Sequence, residues 1–214
     1  MSLVRKASSI IIQRPPRSDG QCMWLPEQEF GMAWFKKRPK ESTRGNAIEA
    51  KEAEIKGRAA ELQTLAGKGG VPTGEAVTAL AVALGNEIAV LVMRNPSLTV
   101  DEMADLVCQS VREAAHYTVS PSSDVAQDVG ELTEPEFEQL TMRIINTAMP
   151  NATIRDAMSA TAMALGYMIA TAARRGAGFD DTLRWGQNAV IDCSREARDR
   201  LARNDKSTGS GLVE

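Results

Sequence analysis

The sequence predicts an all-α protein, and three observations indicate it. Aromatic residues make up only 4% of the 214 residues, and strand-forming residues are diluted by Ala, Met, Glu and Arg. Apolar residues recur at helical spacing in several segments. Short runs containing Gly, Pro or Asn separate these segments. We therefore expect a helical bundle of about six helices, built around two related helical hairpins and preceded by an extended N-terminal arm.

The N-terminal arm, residues 1–42, differs in composition from the rest of the chain. It contains four prolines and four of the nine aromatic residues, Trp24, Phe30, Trp34 and Phe35. Proline at this density interrupts both helices and interior strands. We therefore expect an extended arm whose aromatic side chains must be covered, either by the protein's own helices or by a second subunit or another protein. An all-α domain is predicted at 43–203, and a disordered tail at 204–214.

The first three helices are predicted from spacing and end signals. Residues 46–66 carry one apolar edge, but Lys51 and Arg58 fall at core positions of the heptad and exclude a coiled coil. Residues 73–94 are apolar on nearly every side, which is typical of the central helix of a bundle. Thr99 and Glu102 have the spacing of a capping box and predict the start of the third helix.

Three more helices are predicted in the second half. One begins at the Glu134–Pro135 pair, because proline is tolerated in a first turn, and the next runs from about 153 to 175. The last runs from about 180 to 202 with its buried stripe on one side. At 100° per residue, Trp185 lies about 200° from Leu183 and so on the opposite, polar side. Trp185 is therefore expected to pack under another segment, such as the arm, or to bind a partner.

Two of these helices resemble each other. Residues 75–94 and 156–175 are identical at nine of 20 positions, five of them alanine, and share an Ala-Leu-Gly triplet. We expect an internal repeat covering about 73–117 and 154–202; the alternative is two independent Ala-rich core helices. A mid-helix glycine costs about 1 kcal/mol relative to alanine. We therefore expect Gly85 and Gly166 to mark the point at which the two long helices cross.

Charge is distributed unevenly along the chain, although the net charge is only −3. Residues 1–46 carry nine Lys or Arg against four acids, whereas residues 101–138 carry ten acids and one base. A basic cluster, Lys36, Lys37, Arg38 and Lys40, directly follows two of the arm's aromatic residues. The cluster is a candidate polyanion-binding site, and it could equally contact the protein's own acidic region.

No complete catalytic or cofactor motif occurs, so we expect no cofactor and no catalytic residues. The acidic pairs Glu49–Glu52 and Glu102–Asp105 are similar to the Mg²⁺-binding pairs of all-α nucleotide pyrophosphohydrolases. However, a long apolar helix that carries only Glu87 at its centre lies between the two pairs. Acids in a first turn also favour the helix dipole, which is the simpler explanation for the second pair.

Cysteine spacing and hydropathy predict a cytoplasmic protein without a membrane segment. Cys22, Cys108 and Cys193 form no close pair, which favours reduced thiols over a disulfide framework. The N-terminus has no secretory apolar region. The longest uncharged run, 157–173, has 17 residues and is shorter than a bilayer requires.

Taken together, these features predict a non-enzymatic helical interaction protein: an adaptor, regulator or self-assembling subunit that uses its arm for subunit or partner contacts. We expect a homo-oligomer. One alternative is a nucleic-acid-associated packaging or coat-like protein that uses the basic arm. A second alternative is the Mg²⁺-dependent nucleotide hydrolase.

Overall fold

The computed structural model describes residues 43–116 and 131–209, and 87% of these residues are helical. Within these ranges the chain forms no strand, and its six helices pack as a bundle, which confirms the predicted fold class. The helices are α1 (Thr43–Gly67), α2 (Thr73–Arg94), α3 (Val100–His116), α4 (Glu134–Ala148), α5 (Ile154–Arg174) and α6 (Phe179–Gly209). The predicted arm lies outside the described residues.

The last helix is longer than the sequence analysis predicts. The tail was expected to be disordered from 204, but α6 continues to Gly209. Residues 204–208 contain neither glycine nor proline, so no strong helix breaker occurs before Gly209. Residues 210–214 lie outside the described part of the chain.

Helix α2 forms the centre of the bundle and contacts all five other helices. Seventeen of its 22 residues are buried, as its apolar character on nearly every side predicts. Among the described helices, α2 is also the one that is long and apolar enough to cross a membrane by length and composition. Because 83% of its most apolar stretch is buried inside the bundle, that property is explained by its place in the core.

Two glycines lie where helices approach closely, but their partners differ from those predicted. A Cβ atom added at Gly85 would lie 2.8 Å from the backbone nitrogen of Ser194 on α6. One added at Gly166 would lie 2.6 Å from the carbonyl oxygen of Val111 on α3. The prediction that these glycines mark the crossing of α2 with α5 is therefore wrong. In each long helix, the glycine contacts the second helix of the other predicted hairpin: Gly85 of α2 contacts α6, and Gly166 of α5 contacts α3.

Threonines that precede the first helical residue form the N-caps of three helices. The backbone N–H of Glu102 donates to Thr99 Oγ1 at 3.2 Å, and the N–H of Thr99 donates to Glu102 Oε2 at 3.1 Å, which confirms the predicted capping box. Hydrogen bonds from Thr99 lower the pKa of the Glu102 carboxyl. Thr133 is capped in the same way by Glu136, and Thr153 Oγ1 accepts from the N–H of Asp156.

Helix α1 is held to the junction between α4 and α5 by its polar residues. Arg58 Nη1 donates to the carbonyl oxygens of Ala148 at 2.7 Å and Pro150 at 3.1 Å, and so satisfies the free carbonyls at the end of α4. Lys51 Nζ lies 3.0 Å from Asp156 Oδ2 in the first turn of α5. The two polar positions that exclude a coiled coil are therefore the ones that dock α1.

Candidate functional site

A cleft of about 270 Å³ opens at the end of the bundle where α2 begins and α5 ends. Three elements contribute its walls: the first turns of α2, the end of α5 with the turn that follows, and the second turn of α6. The lining residues are Thr73, Gly74, Val77, Ala172, Arg175, Ala177, Thr182 and Trp185. We call it the Trp185 cleft.

The indole of Trp185 is 38% exposed at the edge of this cleft. The opposite side of α6 faces the core, and its residues Leu183, Val190 and Ala197 are buried. The structure therefore places Trp185 on the outer face of α6, as the angular spacing predicts. The neighbouring Gly186 brings α6 close to α5, because a Cβ there would lie 3.0 Å from Ile169 Cδ1.

Arg175 contributes a cation to the wall of the cleft. Its Nη1 donates to Thr73 Oγ1 at 2.7 Å, which links the C-terminal end of α5 to the first turn of α2. Neither residue is identifiable from the sequence as part of a site, because 102 positions separate them. The only local signal is a basic residue at a helix end, which the helix dipole already explains.

Three glutamates lie at this end of the bundle, one buried and two exposed. Both carboxylate oxygens of the buried Glu75 accept from the backbone N–H of Leu132, at 3.0 and 2.9 Å. This contact fixes the start of α4 beside the start of α2. The exposed Glu131 and Glu134 consequently lie at the same end of the bundle as the Trp185 cleft.

Most of the residues predicted for binding lie outside the described part of the chain. These are the aromatic residues Trp24, Phe30, Trp34 and Phe35, and the basic residues Lys36, Lys37, Arg38 and Lys40. Of the predicted contact residues, the structure therefore locates Trp185 and no other.

The acidic pairs of the hydrolase alternative lie on different helices. Glu49 is exposed and Glu52 is half-buried on α1, which packs mainly against α4 and α5. Glu102 on α3 is engaged in its own helix cap. Within residues 43–116 and 131–209, no group of three or more His, Cys, Asp or Glu side chains is positioned to hold a metal ion.

Of the two described cysteines, Cys108 is buried and Cys193 is half-buried against the core. Burial raises the pKa of Cys108 to about 11 and that of Cys193 to about 12, and neighbouring carboxylates add to the effect. Cys108 is also tied to α6, since Gln187 Nε2 donates to its carbonyl oxygen at 2.9 Å. Thiols of this kind are poor nucleophiles and poor metal ligands.

Glu87 is the exceptional side chain of the core. It is 3% exposed in the middle of α2, and its Oε1 lies 3.1 Å from Thr161 Oγ1 on α5. Its second oxygen, Oε2, has no hydrogen-bond partner. Burial raises the pKa of this carboxyl to about 8, although the hydrogen bond with Thr161 works in the opposite direction. The sequence shows that Glu87 lies within an apolar helix, but it does not show that the Thr161 hydroxyl faces it.

No protein family, curated protein or solved structure matches this chain. Its function must therefore be inferred from its own residues.

Proposed function

We propose that this protein is a self-assembling, non-enzymatic subunit in which the N-terminal arm of one copy binds the Trp185 cleft of another. The observation that carries the proposal is the exposed indole of Trp185 at the edge of a cleft. The bundle beneath the cleft already has a filled core. Aromatic side chains in the arm supply a chemically matched occupant.

The cleft suits one aromatic side chain better than a free small molecule. Its volume of about 270 Å³ is below the range typical of small-molecule sites. Val77, Ala172 and Ala177 give it apolar walls. The indole of Trp185 offers an aromatic face, and the guanidinium of Arg175 offers a cation–π contact. Aromatic residues inserted into pockets are also the usual anchors of protein interfaces.

The reach of the chain favours a second copy as the source of Trp34 or Phe35, although Trp24 and Phe30 lie far enough along the arm to reach the cleft of their own copy. Helix α1 has 25 residues, so Thr43 lies about 36 Å along the helix axis from Gly67. Gly67 is joined by one short turn to Thr73 in the cleft. Trp34 and Phe35 precede Thr43 by only nine and eight residues, which span at most about 31 Å when fully extended. A second copy removes this limit.

Charge complementarity supports the same arrangement. The basic cluster 36–40 directly follows Trp34 and Phe35 in the sequence. When either ring occupies the cleft, the cluster comes close to the acidic start of α4, with its exposed Glu131 and Glu134. Opposite charges at the edge of an apolar contact steer association and fix its register.

The fold of this subunit, we also propose, is a doubled helical hairpin. Residue 85 corresponds to 166 in the alignment of α2 with α5, an offset of 81 positions. Applied to the contact of Gly85 with Cys193 and Ser194, this offset predicts a contact of Gly166 with 112 and 113. The atoms nearest to a Cβ at Gly166 belong to Val111, Ala114 and Ala115. These residues flank the predicted pair on the same helix, and this correspondence between helices supports an internal repeat over two unrelated Ala-rich helices.

The first prediction is that deleting residues 1–42 reduces the mass of the protein in solution to that of a single chain. The full-length chain, at 23.1 kDa per copy, should scatter light as an oligomer. Trp185→Ala should reduce association as strongly as the deletion does, because it removes the anchor of the cleft. Multi-angle light scattering measures both effects.

Leu106→Ala is the matched control, since Leu106 is 41% exposed on α3 and lies outside the cleft. This variant should keep the mass of the parent. A truncated chain that retains the full oligomeric state would refute the proposal. Co-purification of nucleic acid that is lost with the arm, without any change in oligomeric state, would favour the nucleic-acid alternative instead.

A further inference from the structure

The buried contact between Glu87 and Thr161 offers one hydroxyl proton to two acceptors, and a protonated carboxyl would supply a second proton. Thr161 Oγ1 lies 3.1 Å from Glu87 Oε1 and 3.0 Å from the carbonyl oxygen of Ala157. The threonine hydroxyl has one proton and can donate to only one of these acceptors at a time. When Glu87 is neutral, its own O–H donates to Thr161 Oγ1, and the threonine proton is free for Ala157. The Glu87–Thr161 contact and the Thr161–Ala157 contact then each contain one proton.

We propose that Glu87 and Thr161 form a proton-controlled contact between α2 and α5. The neutral carboxyl holds the two helices together, and its ionisation loosens them. An ionised Glu87 would have one shared donor on Oε1 and none on Oε2, at a position with almost no access to water. A buried charge without compensating hydrogen bonds is strongly unfavourable.

No cation on the neighbouring helices compensates this charge in the described part of the chain. On α1, Arg58 is directed to the end of α4, and Lys51 is directed to the start of α5. On α4, Glu138 is half-buried and Arg143 is exposed. On α5, Asp156 is paired with Lys51, and Arg155 and Arg174 are exposed. None of these groups contributes to the pKa of Glu87, which burial and Thr161 determine.

The remaining two helices also present neutral or distant groups. On α3, Cys108 is a protonated thiol, while Asp101 pairs with Arg195 at the surface. On α6, Cys193 is protonated and the Ser194 hydroxyl donates to the carbonyl oxygen of Val190 at 2.6 Å. On α2 itself, Glu75 is bonded to the amide of Leu132, three turns away. Glu87 is therefore an isolated titratable group.

The direction of the pH effect follows from the two pKa values. The carboxyl titrates near 4.5 when the chain is unfolded and near 8 in the folded protein. The unfolded state therefore releases this proton first as the pH rises. The stabilisation due to the neutral carboxyl is fully present below about pH 4.5. It is lost progressively up to about pH 8 and changes little above that.

The second prediction is that the urea midpoint of the full-length protein falls by about 1–2 M between pH 5.5 and pH 9. In Glu87→Gln the urea midpoint should decrease much less over this pH range, because the amide keeps a donor for Thr161 and cannot ionise. Glu87→Met, which copies the residue at the aligned position of α5, should show the same smaller decrease. Chemical denaturation followed by circular dichroism gives the midpoints.

Glu75→Gln is the matched control: it changes another buried glutamate of α2 but leaves Glu87 in place. It should retain the parent's pH-dependent fall, whatever its absolute stability. Hydrogen exchange, corrected for the intrinsic effect of pH, should show faster opening at 83–91 and 157–165 above pH 8 in the parent but not in Glu87→Gln. Equal pH-dependent falls in the parent and both Glu87 variants would overturn the proposal, as would unchanged exchange in these segments.

Discussion

Helices α2 and α5 share nine of 20 aligned residues, yet they differ in what they bury at one pair of equivalent positions. Glu87 of α2 corresponds to Met168 of α5, and Thr161 of α5 corresponds to Leu80 of α2. All four side chains are buried. One pair is therefore a carboxyl facing a hydroxyl, whereas the aligned pair is entirely apolar. The comparison shows that similar helices with similar packing can differ by one titratable group.

The same two helices agree where backbones approach closely. Gly85 and Gly166 each face backbone atoms of a neighbouring helix at distances that leave no space for a methyl group. An alanine lies two residues before each glycine, at 83 and 164. Both helices therefore have a glycine at a close backbone contact. They differ in the chemistry of the side chains at the interface between them.

The third prediction tests the difference and has the largest expected effect. Met168→Glu places a second carboxyl at the aligned position, where a leucine corresponds to the threonine that faces Glu87. A fully buried glutamate shifts its pKa by up to about 3–5 units, so we expect a loss of about 4 kcal/mol in unfolding free energy at pH 7. Urea denaturation at pH 7 measures it.

Met168→Leu serves as the control, since a volume-conserving apolar exchange costs less than about 1.5 kcal/mol. If Met168→Glu loses no more stability than Met168→Leu, the two positions accept a carboxyl equally well. The contrast between Glu87 and Met168 would then have no energetic meaning.

The fourth prediction tests what the helices share and has a smaller effect. Gly85→Ala and Gly166→Ala should each lower the unfolding free energy by about 1–3 kcal/mol, because the added Cβ meets backbone at 2.8 Å and 2.6 Å. Leucine at either position should cost at least as much. Thermal denaturation of the two alanine variants gives the comparison directly.

Gly57→Ala is the control for helix propensity. Gly57 lies within α1, and a Cβ there would meet nothing within 4 Å. This substitution should stabilise the protein by about 0.5–1 kcal/mol. Stabilisation of all three alanine variants to the same degree would show that Gly85 and Gly166 do not hold the helices close together.

The sequence predicts the helices well because their signals are local. Apolar spacing identifies α2 and α6, and the Thr99–Glu102 spacing identifies the capping box of α3, since each depends on residues within a few turns. The last helix extends past the predicted end because the polar residues 204–208 lack a helix breaker.

The contacts that define the sites depend on distant parts of the chain. Thr161 lies 74 positions from Glu87, and Thr73 lies 102 positions from Arg175. The partner of Gly85 was predicted wrongly for the same reason, because periodicity gives the buried face of a helix but not the neighbour it meets. Trp185 is the exception: its place on the outer face of α6 follows from local spacing alone.

A mixing experiment tests the central claim, that an arm binds the cleft of a second copy, most directly. The chain lacking residues 1–42 has a cleft but no arm, and full-length Trp185→Ala has an arm but a damaged cleft. Each alone should scatter light as a single chain, and an equimolar mixture should form a one-to-one complex, because the intact arm can enter the intact cleft. Separate single chains in the mixture would contradict the account.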